Sequence, residues 1–331
     1  MGINVAMIGA GYWGKNICRN LQNCDMVELV TICDTSLDRA LNLKNNFAPT
    51  AKVCTDFNDI LLDKSIDAVS IVTPVQTHFN FAKQALLNGK HVLVEKPMAL
   101  SSKEAAALVE CAKQTNLRFM CDHTFCYCGP VRAIKKIIQS GELGQLLKIN
   151  STRLNLGLLQ KDVNVLWDLS PHDISIINYI TSGDEHPISV LAHGKSIAGY
   201  NHEVDAMMSI EFKSGLLATV HNSWLYPTKE RKMTIVGTKK MLLWDDLSED
   251  KLILFDRGVN VINHKNFEYY DEKKDVVDFV ATEPLSLMVE EFANAIIEER
   301  TALSGPDEGF ETIKLLEAAD QSLRNNKRIQ L

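Results

Sequence analysis

The sequence predicts an α/β fold in two parts: an N-terminal doubly wound parallel sheet, and a C-terminal α/β domain built on a large open, mostly antiparallel sheet. Two patterns lead to this prediction. Through about residue 120, short apolar strand patterns alternate with helical patterns, which is the order found in doubly wound sheets. From residue 145 onward, segments of alternating apolar and polar residues follow one another, as in antiparallel strands. The predicted domains are residues 1–122 and 123–331.

The elements of the first domain rest on local signals. Apolar runs at 3–8 and 27–33 have the composition of buried parallel strands. A helix at 101–115 begins with Ser101 followed by Glu104, which is the arrangement of a capping box. The other predicted elements are a short strand and helix within 53–62, strands at 68–72, 91–94 and 119–122, and a helix at 76–88 that ends at Gly89.

The second domain is predicted from alternation and helical periodicity. Its strands are expected at 146–154, 188–196, 206–212, 216–223, 232–236, 241–244 and 252–255, with a helical run at 174–180 and two final amphipathic helices at 286–300 and 306–325. An open sheet needs its second apolar face covered. Residues such as Met207, Ile210, Leu217 and Val220 would expose too much apolar surface on a monomer, so we expect a homodimer or homotetramer.

Composition excludes several classes of protein. The chain has 331 residues, of which 46% are hydrophobic and 23% charged, as in a soluble globular protein. No apolar run approaches the roughly 20 residues that span a bilayer, and a strand pattern begins at once without a secretion signal, so we expect a cytoplasmic protein without membrane contact. The net charge of −7 disfavours non-specific binding of nucleic acid.

The eight cysteines all lie at or before Cys128, mostly within apolar patterns, and we expect reduced thiols that serve as small core residues. One segment, residues 121–128, reads C-D-H-T-F-C-Y-C and is a possible source of metal ligands. It lacks the paired C-x-x-C spacing of structural zinc sites, so we expect no metal.

A glycine turn follows the first strand. Gly9, Gly11 and Gly14 have G-x-G-x-x-G spacing between a strand and a helix, which predicts a dinucleotide-binding site. Gly9 permits the tight turn, Gly11 lets the backbone approach a pyrophosphate, and Gly14 lets the helix pack on the strand. Backbone N–H groups at the helix start then bind phosphate. Tyr12 and Trp13 lie in the same turn and are included in this site. The alternative is a purely structural turn.

Asp34 ends the second strand and bears on the choice of cofactor. A carboxylate there accepts hydrogen bonds from the adenosine ribose hydroxyls and repels a 2′-phosphate, which favours NAD over NADP. Thr35 and Ser36 follow it, and small hydroxyl residues at this point can tolerate a 2′-phosphate. The sequence therefore predicts NAD and leaves the tolerance of NADP open.

Two further motifs carry acid–base chemistry. Lys96, in Glu95-Lys96-Pro97, follows the strand at 91–94, and open parallel sheets bind ligands at such strand ends. Asp168 and His172 are four residues apart and share one face of a helical turn. A histidine near a carboxylate and an ammonium is suited to moving a hydroxyl proton near neutral pH. The alternatives are a solvated turn lysine, a helix-capping Asp168 and a buried structural His172.

These motifs together resemble the Gfo/Idh/MocA family of oxidoreductases over the whole chain. The matching residues are Gly9, Gly11 and Gly14 with Asp34, then Thr73 and Pro74 with His78, then Glu95, Lys96 and Pro97, and finally Asp168 and His172. The resemblance implies a Rossmann domain followed by an α/β domain whose sheet forms the oligomer contact. It also implies that Lys96 and His172 act around the reacting hydroxyl with the assistance of Asp168, and that Thr73, Pro74 and His78 lie against NAD. Where the family often has glycine, this chain has Ser170-Pro171.

Within the family, the segments GYWGKN, NVLWDLSPHDISI and SWLYPTKERKMTIVG resemble a subgroup found with bacterial surface-polysaccharide genes and similar to UDP-N-acetylglucosaminuronate dehydrogenases. Cations beside aromatic residues are suited to a diphosphate and a uracil ring. The candidate substrate-binding residues are Arg153, Trp167, Lys229 and Arg231, with Lys161, Trp224, Tyr226 and Lys232 nearby in sequence. The alternative is a solvated basic run on a sheet edge.

The predicted function is reversible hydride transfer between a sugar hydroxyl carbon and NAD. His172 takes the hydroxyl proton, Lys96 hydrogen-bonds the oxygen, and Asp168 orients the pair. The substrate is expected to be a nucleotide-linked sugar of surface polysaccharide biosynthesis. Two alternatives stay open: a dehydrogenase of a free sugar or inositol, and a non-catalytic NAD-binding redox sensor.

Overall fold

The computed structural model describes residues 2–181 and 185–331, which form two compact units. One unit extends to Tyr127 and also contains Thr282–Lys314, and the other contains Cys128–Ala281 and Leu315–Leu331. The sequence placed residues 282–314 in the second domain, whereas the structure places them in the first unit. No helix among the described residues has the length and hydropathy of a membrane span.

The first unit contains a six-stranded sheet in the order β3-β2-β1-β4-β5-β6, with all neighbours parallel. The prediction of a doubly wound parallel sheet is confirmed. The strands are β1 (Ile3–Ile8), β2 (Val27–Cys33), β3 (Lys52–Cys54), β4 (Ala68–Ile71), β5 (His91–Val94) and β6 (Phe119–Cys121), and the helices are α1 (Gly14–Gln22), α2 (Leu37–Phe47), α3 (Phe57–Leu62), α4 (His78–Leu87), α5 (Ser102–Thr115) and α8 (Pro284–Ile297).

The burial of their residues explains why the strands of the first sheet are apolar, and a capping interaction explains where α5 begins. All four residues of β4 are buried, as expected for a central parallel strand covered on both faces. At α5, the Ser101 hydroxyl accepts a hydrogen bond from the Glu104 backbone N–H (3.2 Å), while the Glu104 carboxylate accepts one from the Leu100 N–H (3.2 Å). The predicted capping interaction therefore forms, with its return bond shifted by one residue.

The second unit contains a nine-stranded sheet in the order β14-β13-β12-β11-β7-β10-β9-β8-β15. Its neighbours are antiparallel apart from β7 and β10, which are parallel, so the prediction of a mostly antiparallel sheet is confirmed. The strands are β7 (Leu146–Leu156), β8 (Pro187–Lys195), β9 (Asp205–Phe212), β10 (Leu217–Ser223), β11 (Leu225–Gly237), β12 (Met241–Asp245), β13 (Leu252–Asn263), β14 (Asn266–Val276) and β15 (Ile329–Gln330).

Two helices of this unit differ from the sequence prediction. The helix α6 (Gly129–Gln139) was not predicted, and α7 (Val165–Thr181) begins well before the predicted run at 174–180. Helix α7 packs on β7, β9 and β10 and covers one face of the sheet. The last helix, α9 (Pro306–Asn325), agrees with the predicted bounds; its first part belongs to the first unit and its end to the second.

The two faces of the nine-stranded sheet differ in burial. Ile210 and Val220 lie on the helix-covered face and are fully buried, whereas Met207 is 50% exposed on the other face, which also carries the half-buried Leu217. Ile210 and Val220 therefore do not contribute to the exposed apolar surface that we expected from these four residues. Successive residues of a strand point to opposite faces, and the four residues were assigned to one face without a register.

Strands β13 and β14 extend far beyond the predicted segment at 252–255. Their outer parts pair Val259 with Tyr269 and Val261 with Phe267, so that these four side chains share one face of a two-stranded ribbon. All four are exposed. The ribbon lacks a buried face, and for that reason its sequence gives no alternating burial signal.

Candidate active site

Each of the three glycine positions in the first turn favours glycine for a different structural reason. Gly9 adopts a φ of +102°, and a Cβ there would stand 2.4 Å from the carbonyl oxygen of Val72. A Cβ on Gly14 would stand 2.8 Å from the Gly9 carbonyl oxygen and 3.0 Å from Cε of Met7 in β1. A Cβ on Gly11 would meet nothing within 4 Å, so the backbone there is open to a closely approaching ligand. This is the geometry that a pyrophosphate requires.

The glycine turn lies at the point where the strand order of the sheet reverses. β1 stands between β2 and β4, and the Gly9 backbone lies directly against the turn at Val72 and Thr73 that follows β4. Open α/β sheets bind ligands at such switch points. Trp13 precedes α1 without capping it through a side-chain hydrogen bond, so the helix start presents backbone N–H groups suited to phosphate. Tyr12 is 85% exposed and Trp13 44% exposed.

Asp34 is held by several donors. Its Oδ2 accepts a hydrogen bond from the Ala10 N–H (2.7 Å), and its Oδ1 accepts bonds from the Ser36 N–H (2.8 Å) and the Arg39 guanidinium (2.6 Å). Burial by itself would raise the pKa of Asp34, but these bonds outweigh it and hold the pKa below its usual value. Arg39, which lies five residues after Asp34 in the first turn of α2, was not among the predicted site residues.

We expect the protein to bind NAD(H) more tightly than NADP(H), and we expect Asp34→Ala to narrow the difference. Alanine removes the carboxylate that repels a 2′-phosphate and releases Arg39, whose side chain is 55% exposed, toward that phosphate. Calorimetric titration with both dinucleotides measures the two affinities. The matched control is Arg39→Ala, which keeps the carboxylate and therefore keeps the preference for NAD. Tighter binding of NADP by the unmodified protein would contradict this prediction.

His78 connects two of the predicted segments. Its ring is buried, with Nδ1 2.8 Å from the Pro97 carbonyl oxygen and Nε2 2.8 Å from the Thr73 carbonyl oxygen. Burial lowers the pKa of this imidazole. The imidazole thus ties the turn after β4 to the turn after β5. Because both ring nitrogens contact the protein, His78 is suited to shaping the wall of the cofactor site rather than to hydrogen-bonding a cofactor.

Lys96 and Glu95 follow the end of β5. The Lys96 N–H donates a hydrogen bond to Oε2 of Glu95 (3.1 Å), and both residues are half-buried. Thr73 and Pro74 follow the neighbouring strand β4, where the Thr73 hydroxyl lies 2.6 Å from that of Thr77. The first unit therefore gathers Gly9, Thr73 and Lys96 at the carboxyl ends of three adjacent strands, as the sequence predicted for a ligand-binding edge.

Helix α7 presents Asp168 and His172 one turn apart. Asn164 precedes the helix, and its side-chain oxygen accepts a hydrogen bond from the Trp167 N–H (3.2 Å), so Asn164 rather than Asp168 caps the helix. Asp168 instead accepts a hydrogen bond from Nε1 of Trp224 (3.0 Å), a contribution that the sequence analysis missed. Asp168 and His172 are both half-buried, so each retains some contact with solvent. Pro171 lies inside this helix.

Arg153 and Trp167, two of the predicted substrate-binding residues, are both buried. The Arg153 side chain is 7% exposed and forms an ion pair with Asp173 of α7 (3.2 Å), and Trp167 is buried. Asp173 also accepts hydrogen bonds from Ser151 (2.9 Å) and Asn222 (2.9 Å). Arg153 therefore neutralises a buried carboxylate, and its role in substrate binding, like that of Trp167, stays a prediction.

Arg231 and Lys229 remain candidates for substrate binding. Arg231 is half-buried and lies opposite Arg153 on the helix-covered face, with an ion pair to Asp246 (2.7 Å). Lys229 is exposed. Lys232 points to the opposite face and pairs with Asp245 (3.3 Å). Lys161 is exposed as well.

The cysteine-rich segment at 121–128 contains buried thiols. Burial raises the pKa of Cys121 and of Cys128, which keeps both thiols protonated at neutral pH. Within residues 2–181 and 185–331, no group of three or more histidine, cysteine or acidic side chains is arranged to hold a metal ion.

The fold and this site define a dinucleotide-binding protein of the Rossmann class with a second domain that carries an Asp-x-x-x-His helix. Residues 3–123 match the Gfo/Idh/MocA oxidoreductase family, described as having an NAD-binding Rossmann fold, and residues 131–243 match the C-terminal domain of the same family. The chain belongs to the Gfo/Idh/MocA family.

Individual relatives are more distant. The chain is 26% identical to 2,7-anhydro-N-acetylneuraminate hydratase of Escherichia coli K12 over 72% of its length and 66% of the relative's. It is 28% identical to inositol 2-dehydrogenase of Salmonella typhimurium over 57% of its length, a match that spans 58% of that enzyme. A solved structure of UDP-N-acetylglucosamine 3-dehydrogenase from Acidithiobacillus ferrooxidans has a TM-score of 0.82, with 23% identity and coverage of 98% of this chain and 99% of that one.

Proposed function

We propose that the protein is an NAD-dependent dehydrogenase that transfers a hydride between a sugar hydroxyl carbon and nicotinamide. The observation that carries this proposal is the pair Asp168 and His172 on α7, one turn apart and both half-buried, in a chain whose other unit holds the glycine turn for a dinucleotide. Proton transfer and hydride transfer together make up the oxidation of an alcohol. Asp168 and His172 supply groups for the proton transfer, and the glycine turn would hold the NAD that accepts the hydride.

Each residue of the proposed site has a chemical role. NAD supplies the hydride acceptor when bound. His172 takes the hydroxyl proton, and Lys96 donates a hydrogen bond to the same oxygen as negative charge develops on it. Asp168, held by the indole N–H of Trp224, orients the imidazole of His172. We propose that the first unit binds NAD through Gly9, Gly11, Gly14, Asp34 and the turns at Thr73 and Glu95, and that the second unit binds the sugar.

We further propose that the substrate is a nucleotide-linked sugar. Arg231 supports this proposal because it lies half-buried on the face of the sheet that α7 covers, where a partly desolvated guanidinium binds phosphate strongly. The UDP-N-acetylglucosamine 3-dehydrogenase of similar fold oxidises such a sugar according to its name. Biosynthesis of surface polysaccharide would consume an oxidised nucleotide sugar of this kind.

A panel of candidate substrates tests both the dehydrogenase proposal and the nucleotide-sugar proposal. We expect NADH to form with at least one UDP-linked or dTDP-linked sugar, and we expect Arg231→Ala to weaken binding of that sugar roughly tenfold or more without changing NAD affinity. The matched control is Lys232→Ala, which removes the neighbouring cation from the opposite face of the sheet. Oδ1 of Asp246, the ion-pair partner of Arg231, also lies 3.6 Å from Nζ of Lys251. In Arg231→Ala, we therefore expect Lys251 still to balance the charge of Asp246.

A free polyol is the second candidate substrate, favoured by the similarity to an inositol 2-dehydrogenase. If the protein reduces NAD to NADH with inositol and binds no nucleotide sugar, the nucleotide-sugar proposal fails and the dehydrogenase proposal stands. If no alcohol in the panel reduces NAD and no ketone oxidises NADH, the dehydrogenase proposal fails as well.

We propose that the protein forms a homodimer or homotetramer through the open face of the nine-stranded sheet. Met207 on this face and the apolar side of the ribbon, with Val259, Val261, Phe267 and Tyr269, support the proposal because they are large apolar side chains exposed to solvent. Light scattering at micromolar concentration measures the mass, and a monomer would contradict the proposal.

A further inference from the structure

The turn that follows β4 contains two linked threonine hydroxyl groups. The Thr77 hydroxyl donates a hydrogen bond to the Pro74 carbonyl oxygen (2.7 Å), and the Thr77 backbone N–H donates to the same oxygen (2.9 Å). The Thr73 hydroxyl oxygen lies 2.6 Å from that of Thr77. Both threonine side chains are half-buried. The turn therefore holds a chain of hydrogen bonds that runs from Thr73 through Thr77 to a carbonyl oxygen.

The number of protons fixes the direction of this chain. A carbonyl oxygen only accepts, so the single proton of the Thr77 hydroxyl lies in the bond to Pro74. Thr77 can then only accept in its bond to Thr73, and Thr73 must be the donor. Because the Thr73 proton is used in this bond, its hydroxyl oxygen can enter any further hydrogen bond only as an acceptor.

The backbone of Thr73 is fixed as well as its side chain. Its carbonyl oxygen lies 2.8 Å from Nε2 of the buried His78. Its backbone nitrogen lies against the glycine turn, because a Cβ on Gly9 would stand only 3.0 Å from it. Thr73 therefore presents an acceptor of fixed direction at the carboxyl edge of the parallel sheet, where ligands of open α/β sheets bind.

The strand order indicates which part of NAD lies at this acceptor. Asp34 follows β2 and is the proposed partner of the adenosine ribose, and Gly11 follows β1, where the backbone is open to a pyrophosphate. β4 lies on the other side of β1 from β2, so Thr73 lies on the nicotinamide side of the pyrophosphate. Pyrophosphate oxygens are acceptors, which an acceptor cannot bind. The ribose beside the pyrophosphate carries hydroxyl donors and does fit.

We propose that Thr73 accepts a hydrogen bond from a hydroxyl of the nicotinamide ribose, and that Thr77 is a positioning residue that keeps the Thr73 hydroxyl in its accepting orientation. This inference rests on the proposed binding of NAD through the turn at Thr73. Hydrogen bonds that run in one direction along a chain polarise and strengthen one another, so Thr77 contributes to affinity without contact with the cofactor.

Calorimetric titration of three ligands tests the contact of Thr73. ADP-ribose contains the second ribose without nicotinamide, and ADP ends at the pyrophosphate. We expect Thr73→Val, which keeps the shape of the side chain, to weaken binding of NAD and of ADP-ribose by the same factor, roughly three- to tenfold, and to leave ADP affinity unchanged. The matched control is Thr50→Val, an exposed change in the same unit that alters none of the three affinities.

Three outcomes of this titration overturn the proposal. An equal loss of ADP affinity places the contact at the phosphates, and a loss for NAD alone places it at the carboxamide of nicotinamide. Wild-type affinity of Thr73→Val for all three ligands means that no such contact exists.

Variants of Thr77 test the positioning role. We expect Thr77→Val to weaken binding of NAD and ADP-ribose but not of ADP, and we expect Thr77→Ser, which keeps the hydroxyl, to restore both affinities. Because Thr77 acts through Thr73, the double variant Thr73→Val/Thr77→Val should bind NAD no more weakly than Thr73→Val alone. Additive losses, or a failure of serine to restore binding, overturn the positioning role. Unchanged ADP affinity shows that each variant retains its folded dinucleotide site.

The proposed function and this inference fail in different ways. If the wild type binds NAD and the threonine variants bind it equally well, only the inference fails. If the variants show the expected pattern but no alcohol reduces NAD, the dehydrogenase proposal fails and the inference stands. If the wild type binds neither NAD nor ADP-ribose, the proposed cofactor site fails and the inference fails with it.

Discussion

Replacing Lys96 or His172 by alanine will lower turnover at least a hundredfold while leaving the fold and NAD binding in place. A positioned group that moves a proton in the transition state typically contributes a factor of about a hundred to ten thousand. Lys96 and His172 are both half-buried, so truncation removes a functional group without opening a large cavity. Steady-state kinetics with a confirmed substrate, together with NAD titration and circular dichroism, measure the three properties separately.

Matched controls exist in each unit. Lys103→Ala removes an exposed lysine from α5, and His193→Ala removes an exposed histidine from β8, so both test for non-specific effects of losing the same side chain. Trp224→Phe removes the N–H donor to Asp168 and keeps an aromatic ring in the core, and its effect on turnover reports the contribution of that hydrogen bond. Normal turnover in both Lys96→Ala and His172→Ala would refute the catalytic assignment.

The motifs that the sequence revealed are those encoded by consecutive residues. Gly9, Asp34, Thr73 and Lys96 each follow a short apolar strand, and the parallel sheet brings the ends of such strands together without further information. The alternation of strand and helix patterns likewise predicted the first unit. In both cases the signal is local, so a single sequence contains it.

The contacts that the sequence did not reveal depend on register between distant strands. Arg153 meets Asp173 because α7 packs against β7. Arg153 was expected to bind substrate because it is a cation near the Asp-x-x-x-His segment. The sequence neighbourhood of a cation does not reveal the buried carboxylate with which it forms an ion pair.

The second large effect is expected at this buried network beneath α7. Asp173→Asn removes the carboxylate that forms an ion pair with the buried Arg153 guanidinium, and we expect the unfolding free energy to fall by about 3–5 kcal/mol, the usual consequence of breaking a buried ion pair from one side. Arg153→Met leaves the carboxylate with Ser151 and Asn222 as its donors and should cost a similar amount. Urea unfolding followed by tryptophan fluorescence suits this measurement, because Trp167, Trp224 and Trp244 are buried in the same unit.

The double variant Arg153→Met/Asp173→Leu separates two contributions to the unfolding free energy. One is the net contribution of the ion pair, and the other is the cost of removing one member of the pair while the other stays buried. Removing both charges leaves no unpaired ion, so we expect the double variant to be more stable than either single variant. Arg257→Met breaks the exposed pair with Asp271 on the ribbon, where solvent screens the charges, and should leave stability unchanged. Additive losses in the double variant would mean that the two residues contribute independently. Non-additive losses would mean that α7 is held to the sheet by one coupled network, which also fixes the position of the neighbouring His172.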